Sequence, residues 1–285
     1  MPAKLIKGDK VAARLREEMA AEIKDIYAET GQMPGLAVII VGEDPASMSY
    51  VTNIESKSND LGFNVMIHRL SVDVSEGDML QLIEELNYND DVHGIMIQLP
   101  LPEHIKPHVV QEALDPEKDV DGAHPINMGK LFSDEKGYIP STVHSVMRMI
   151  EFTRQPLYGK RAVLIGRSNI VGKPLSLLML RRNASLTICH SYTENLPGIC
   201  READVLIAAT GKPGLVKEDW IKPGAIVIDV GVIQIEGKLV GDVDFASVKN
   251  TAGWISPVPG GVGPITITML KWSTLEAFKK RLAAL

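Results

Sequence analysis

Apolar residues along this chain recur at two spacings, and the two alternate. From Lys10 to Glu29 they fall every three or four positions with charges between, which predicts an amphipathic helix. Leu36 to Val41 is a continuous aliphatic run ending at Gly42, with the length of a buried strand. Helical spacing returns over Ser47–Leu61, Asn64–Leu70 reads as a strand, and Met79–Asn87 as a helix. His93–Gln98 is a further strand, stopped by Pro100 and Pro102. Strands alternating with helices imply a parallel sheet with crossover helices.

The rhythm breaks between Asp115 and Pro140, a loop-rich stretch, and a helix over Val143–Phe152 is expected to bridge two lobes. Alternation then restarts: strand Arg161–Ile165, helix Lys173–Arg182, and strands Leu186–Cys189, Val205–Ala208 and Ala225–Asp229. A final helix, Thr266–Leu282, is expected to pack back on the first lobe. The fold class is α/β in two lobes. Residues 1–139, joined by the C-terminal helix 266–285, form the first, and residues 140–265 form a Rossmann-like, doubly wound parallel sheet. The cleft between two such lobes is the default ligand site.

Composition narrows the partners. At 285 residues the chain can bury a real core. A net charge of -6 and a pI near 5.7 argue against a nucleic-acid or anionic-membrane surface. No apolar run approaches the ~18 residues of a membrane span, and the first residues show no signal core. Cys189 and Cys200 form no CxxC pair, so a reducing cytoplasm is the expected home. His104 and His108 share i, i+4 spacing, but Pro107 interrupts them, and no metal is expected.

The strongest local signal runs from Ala162 to Pro174. A strand ends at Gly166-Arg167-Ser168, and a helix begins after Gly172, aiming free backbone N–H groups and a helix dipole at an anion such as a pyrophosphate. The spacing is Gly-x5-Gly, so the GxGxxG fingerprint is incomplete. The next strand ends His190-Ser191-Tyr192-Thr193, without the acid that usually bonds an NAD ribose. Ser191 can hydrogen-bond a 2′-phosphate and Arg167 can supply charge there, which favours NADP over NAD; the plainer alternative makes Arg167 a solvated turn residue.

Several segments together resemble one family, the bifunctional methylenetetrahydrofolate dehydrogenase/methenyltetrahydrofolate cyclohydrolases. They are Pro34 to Ser47, Gly94-Ile-Met-Ile-Gln-Leu-Pro-Leu-Pro102, Lys118-Asp-Val-Asp-Gly122, Gly166 to Pro174, Lys222 to Gly231, Gly241-Asp-Val-Asp-Phe245 and Pro257-Val-Pro-Gly-Gly-Val-Gly-Pro264. The resemblance covers nearly the whole chain, in the family's order. It implies a homodimer that binds tetrahydrofolate one-carbon derivatives between its lobes. Tyr50 matches a tyrosine that packs on the folate, Gln98 a glutamine that contacts a catalytic lysine, and Asp121 an aspartate that binds the pterin. Ile54, Leu99, Pro259, Gly260, Gly261, Val262 and Gly263 fall at substrate-contacting positions. Gly166, Arg167, Ser168, Gly172, Ser191 and Val232 fall at cofactor contacts. Without the resemblance each has a plain structural reading: Asp121 as a turn former before Gly122, Gln98 as a strand end, Tyr50 as core.

Two segments depart from that pattern. The family's Tyr-Val-x-x-Lys reads Tyr50-Val51-Thr52-Asn53-Ile54 here, and isoleucine can neither donate, accept nor carry charge. Pro140-Ser-Thr-Val-His-Ser145 stands where the family has Pro-Cys-Thr-Pro-x-Gly. Oxidation of an N–CH2–N bridge needs alignment above all, whereas hydrolysis of the methenyl product moves protons, for which a positioned acid or base supplies ~10²–10⁴-fold. The expectation is an NADP-dependent dehydrogenase with weak or absent cyclohydrolase activity. Two alternatives stand: a bifunctional enzyme using Lys57, which shares the Tyr50–Ile54 helix face, or water, and a noncatalytic paralogue.

Overall fold

A computed structural model of the chain describes residues 2–59 and 61–284, and the side chains of Ala46, Lys57, Ser58 and Asn59 lie outside it. The Lys57 expectation therefore falls outside the described side chains. The chain divides into two compact units, Met1–Ala13 with Thr142–Thr266 and Arg14–Ser141 with Ile267–Leu285.

The chain opens with β1 (Lys4–Leu5) and α1 (Gly8–Thr30). The unit built on residues 14–141 then holds β2 (Gly35–Val41), α2 (Pro45–Asn59), β3 (Asn64–Leu70), α3 (Glu76–Tyr88) and β4 (Gly94–Ile97). Its sheet is parallel, in the order β3-β2-β4. The central strand β2 is buried at every position, which is why it reads as an unbroken apolar run. Its alternate side chains feed two cores. Ala37, Ile39 and Val41 pack with Met79, Ile83 and Leu86 of α3. Leu36, Val38 and Ile40 pack with Val51 and Ile54 of α2 and with Ile267 and Leu270 near the C-terminus.

Two short helices, α4 (Pro107–Glu112) and α5 (Pro125–Phe132), follow, and α5 interrupts the loop-rich stretch from 115 to 140. Each has a proline at its start, which reads as a breaker in sequence but presets φ at a first helical turn. Eight residues of α5 with Asn127 and Leu131 buried are too few to display a period.

After α6 (Ser141–Phe152) come β5 (Arg161–Ile165), α7 (Gly172–Arg181), β6 (Ser185–Cys189), α8 (Leu196–Cys200), β7 (Val205–Ala208) and β8 (Ile226–Asp229). The hairpin β9 (Ile233–Ile235) and β10 (Lys238–Val240), then α9 (Phe245–Val248), β11 (Trp254–Ile255) and α10 (Val262–Leu282), complete the chain. Six strands form one parallel sheet, ordered β1-β11-β8-β7-β5-β6. The pairing of Lys4 with Trp254 draws residues 2–13 into this unit. Neither strand of that pair exceeds two residues, and neither carries a period of its own. No described helix is long and apolar enough to cross a membrane.

Candidate functional site

In the six-stranded sheet β5 lies between β6 and β7, so the chain leaves β5 toward one neighbour and later returns to the other. That reversal opens a crevice at the strand C-termini, where ligands of such sheets bind. Gly166 follows β5 at φ +131, and an added Cβ would stand 2.3 Å from Ala209 O. A Cβ on Gly172 would stand 2.4 Å from Gly166 O, so both positions need glycine for the turn to close on itself. Ser168 Oγ accepts from Val171 N at 3.2 Å and Gly172 N at 3.4 Å, while Ser168 O accepts from Lys173 N at 3.0 Å. The first N–H groups of α7 are thus held by Ser168, which corrects the expectation that they are free for an anion. Ser168 anchors the turn, and it is exposed together with Arg167, Asn169 and Ile170.

Gly166 N donates to Cys189 O at 2.9 Å, which sets the end of β6 beside the turn. The exposed Ser191 follows there, held in a turn in which Thr193 Oγ1 accepts from His190 N at 2.8 Å. Arg167 and Ser191 therefore leave neighbouring strand ends, and the exposed Val232 follows β8 in the same sheet. Two buried aspartates organise the loops on that side. Asp229 accepts from the N–H groups of Gly231, Asp242 and Val243, and Asp242 from those of Thr210, Gly211 and Lys212. Burial pushes the Asp229 carboxyl up to about 6 against the pull of its backbone donors. The loop Pro259–Gly263 belongs to this unit too. Gly260 O accepts from Gly8 N at 2.8 Å, and a Cβ on Gly8 would stand 2.0 Å from Gly261 O.

The unit of residues 14–141 and 267–285 gathers Tyr50, Ile54, Gln98 and Asp121. Tyr50 and Ile54 share one face of α2, with Ile54 fully buried among Val51, Met96, Ile267 and Leu270 and Tyr50 packed against that cluster. Gln98 extends β4 by one step, its N–H donating to Ile39 O at 2.9 Å. Its amide Nε2 donates to Leu99 O at 2.6 Å, while the buried Oε1 has no partner among the described residues. Leu99 O is also approached by Ser47 Oγ at 3.5 Å, tying the start of α2 to this loop.

The segment Lys118-Asp-Val-Asp-Gly122 runs beside β4, with Ile95 N donating to Lys118 O at 2.7 Å. Its two aspartates have different work. Asp119 accepts from Ala123 N, His124 N and Asn127 Nδ2, and so builds the turn. Asp121 accepts from the side chain and backbone of Ser141, and burial, partly offset by those bonds, pushes its carboxyl up to about 6. Burial first, and the Asp121 charge second, hold the Tyr50 phenol well above its ordinary value. A neutral phenol donor thus lies within electrostatic reach of a carboxyl that titrates near neutrality. The turn-former role in this motif falls to Asp119, while Asp121 pairs with Ser141.

A family model for the tetrahydrofolate dehydrogenase/cyclohydrolase catalytic domain matches residues 6–121, and one for the NAD(P)-binding domain of the same enzymes matches residues 140–282. The chain belongs to the tetrahydrofolate dehydrogenase/cyclohydrolase family. It is 50% identical over 281 residues to the bifunctional protein FolD of Moorella thermoacetica, covering 98% of this chain and 100% of that one. The crystal structure of the bifunctional FolD of Campylobacter jejuni is 40% identical with a TM-score of 0.95, covering 98% and 99% of the two chains. The FolD of Trypanosoma brucei, crystallised with NADP cofactor and inhibitor, is 35% identical with a TM-score of 0.95 over 99% of both. This is an α/β enzyme with a Rossmann-like NAD(P)-binding domain and a separate catalytic domain.

In this member of the tetrahydrofolate dehydrogenase/cyclohydrolase family, residue-by-residue reading missed Ser47, Ser141 and the Asp229–Asp242 pair as organisers of these loops. Ser47, Asp229 and Asp242 lie in segments that match the family and Ser141 in one that departs from it, but none of these signals gave the bonding role. Serines and aspartates that bond backbone look like any polar loop residue until the chain is folded.

Proposed function

We propose that this enzyme oxidises 5,10-methylenetetrahydrofolate to the 5,10-methenyl form with NADP, and that its hydrolysis of the methenyl product is weak. The observation that carries the proposal is the wall formed by α2, β4 and the 118–122 segment. It supplies a neutral phenol, a carboxyl and an amide carbonyl oxygen, while position 54 contributes only isoleucine. Asp121 accepts the N–H groups of the pterin, Tyr50 packs on its ring, and Gln98 fixes the bridging carbon in line for transfer. The residues fit a dinucleotide: Gly166 and Gly172 let the turn close at the strand ends, where an added Cβ would strike Ala209 O or Gly166 O, and Arg167 and Ser191 present charge and a hydroxyl for a 2′-phosphate. When bound, the nicotinamide supplies the hydride acceptor.

The chemistry separates the two reactions. Losing a hydride from N–CH2–N leaves a cation that its own nitrogens stabilise, so the protein's part is orientation and exclusion of water. Hydrolysis adds water to that carbon, opens a ring and relocates protons, so it loses more when an ionisable group is replaced by isoleucine. A paired assay of the purified enzyme tests the proposal: cofactor reduction reports oxidation, and loss of methenyl absorbance reports hydrolysis. Oxidation should exceed hydrolysis by at least about tenfold, and Ile54→Lys should raise hydrolysis about tenfold or more at a cost in stability from burying an ammonium. Wild-type hydrolysis as fast as oxidation, unaltered by Ile54→Lys, would refute it.

A further inference from the structure

Lys271 is among the largest fully buried side chains of the protein, at 1% exposure. Its place in the fold is specific. Along β4, Ile95 and Ile97 face the core shared with α3, whereas Met96 faces the core shared with Ile54, Ile267 and Leu270. Strand alternation puts Gly94, Met96 and Gln98 on that second face. A Cβ on Gly94 would meet Thr274 Oγ1 at 3.0 Å, and Met96 packs with Ile267 and Leu270. Moving from Gly94 to Gln98 along the strand is therefore moving from Thr274 back toward Ile267 along α10.

Lys271 stands on this same face of α10, four residues after Ile267 and three before Thr274. Helical side chains lean toward the N-terminus of their helix, so the Lys271 stem is directed toward the Ile267 level and thus toward Gln98. The lengths bring the Lys271 head near Gln98, with no hydrogen bond between Nζ and Gln98 Oε1 in the structure. Gly94 to Gln98 spans ~13 Å of strand. Lys271 starts ~4.5 Å nearer the Gln98 end than Thr274 does, and its four-carbon stem adds roughly 6 Å. Burying an ammonium in an aliphatic wall is costly, and groups retained at such cost concentrate at functional sites.

Resting on the folate reading above, we infer that Lys271 is the proton-handling group of this wall: its Nζ, directed toward the Gln98 end of β4, carries the proton that methenyl hydrolysis must move. Water oxygen bonds to the methenyl carbon, and one water proton passes to the Lys271 amine. One C–N bond of the bridge then breaks, its electron pair going to nitrogen. The Lys271 ammonium returns its proton to that nitrogen, and the second water proton leaves to solvent, so atoms and charge balance. The hydrolysis that survives isoleucine at position 54 thus runs from α10 instead of α2.

The test is a swap, with oxidation and hydrolysis measured together. Lys271→Met conserves volume and removes the charge; exchanging a buried charge for an apolar side chain is often neutral or stabilising, so the variant should fold. The ratio of hydrolysis to oxidation should fall about 100-fold, and the pH profile of hydrolysis should change shape. The double variant Ile54→Lys, Lys271→Met returns one ammonium to the same wall from α2 and should recover at least about tenfold of that ratio. Wild-type hydrolysis retained in Lys271→Met overturns the inference and leaves the folate reading standing. So does a wild type that oxidises without hydrolysing, or a Lys271→Met that loses both reactions together with its melting transition and is not recovered by the double variant. A wild type that turns over neither reaction overturns both proposals.

Discussion

The dinucleotide turn and the α2–β4 wall are built from opposite materials. Gly166 and Gly172 shape their turn by lacking side chains, and Ser168 closes it with bonds to backbone N–H groups. The wall is shaped by polar side chains carried into a buried place, where Gln98 Oε1 accepts nothing among the described residues and Asp121 is pushed toward neutrality. A site made of backbone is already satisfied before its ligand arrives and loses little when one exposed side chain changes. A site made of buried polar groups depends on its ligand to complete it, because an unmet buried group costs ~1–3 kcal/mol. Single substitutions should therefore be far more damaging in the wall than at the rim of the turn.

Asp121→Asn is expected to give the largest effect. On the proposed role, the exchange replaces an acceptor of pterin N–H groups by an amide whose own N–H₂ opposes them. The loss in kcat/KM for the folate substrate should be on the order of 10³-fold or more. NADP binding measured by calorimetry should be nearly intact, since the turn belongs to the other unit. Parallel loss of both would mean that the chain, not the site, had failed, and would break the comparison.

The same contrast explains what could be read before folding. The turn is legible because one segment builds it: the strand, both glycines and the helix start lie within Arg161–Arg181. Even there the bonds from Val171 and Gly172 to Ser168 were invisible, because a serine in a loop announces no partner. The wall draws on four separate stretches, around Tyr50, Gln98, Asp121 with Ser141, and Lys271. Local spacing relates none of them to the others, and only the family resemblance marked Tyr50, Gln98 and Asp121. Lys271 sits in a helix where most neighbours are also buried, so its amphipathic pattern is too weak to separate it from a surface lysine. Long elements such as β2 and α1 were clear from their periods, whereas α5 and the β1–β11 pair depended on a proline geometry and on a partner some 250 residues away.

At the rim of the turn, Arg167→Ala should act on one cofactor and spare the other. Arg167 is exposed beside the end of β6, where Ser191 follows and no acid precedes Glu194. A charge-assisted bond to a 2′-phosphate is worth ~1.5–3 kcal/mol, so the Michaelis constant for NADP should rise about thirtyfold. That for NAD, which lacks the phosphate, should move less than about threefold. Equal effects on both cofactors, or a wild type that prefers NAD, would defeat the NADP assignment.

The smallest expected effect comes from pH, and it sharpens the comparison because only the wall should feel it. With its carboxyl near 6 instead of 3.8, Asp121 begins to protonate within the range of an ordinary assay. On the proposed role the carboxylate is the form that accepts pterin N–H groups, so the Michaelis constant for the folate substrate should climb as pH falls through about 6. Between pH 7 and pH 5 the rise should be about tenfold, while the constant for NADP stays flat over the same interval. Stability carries the opposite sign. A carboxyl raised on folding stabilises the chain fully below its unfolded value, and that contribution is lost as pH rises through about 6. Asp121→Asn removes the ionised form, so its gain over wild type in urea titrations should grow from pH 4 to pH 6 and level off above, reaching on the order of 1–3 kcal/mol. A gain independent of pH would show that the Asp121 carboxyl keeps its ordinary value. Ser141 would then outweigh burial, and the wall would be as satisfied without its ligand as the turn is.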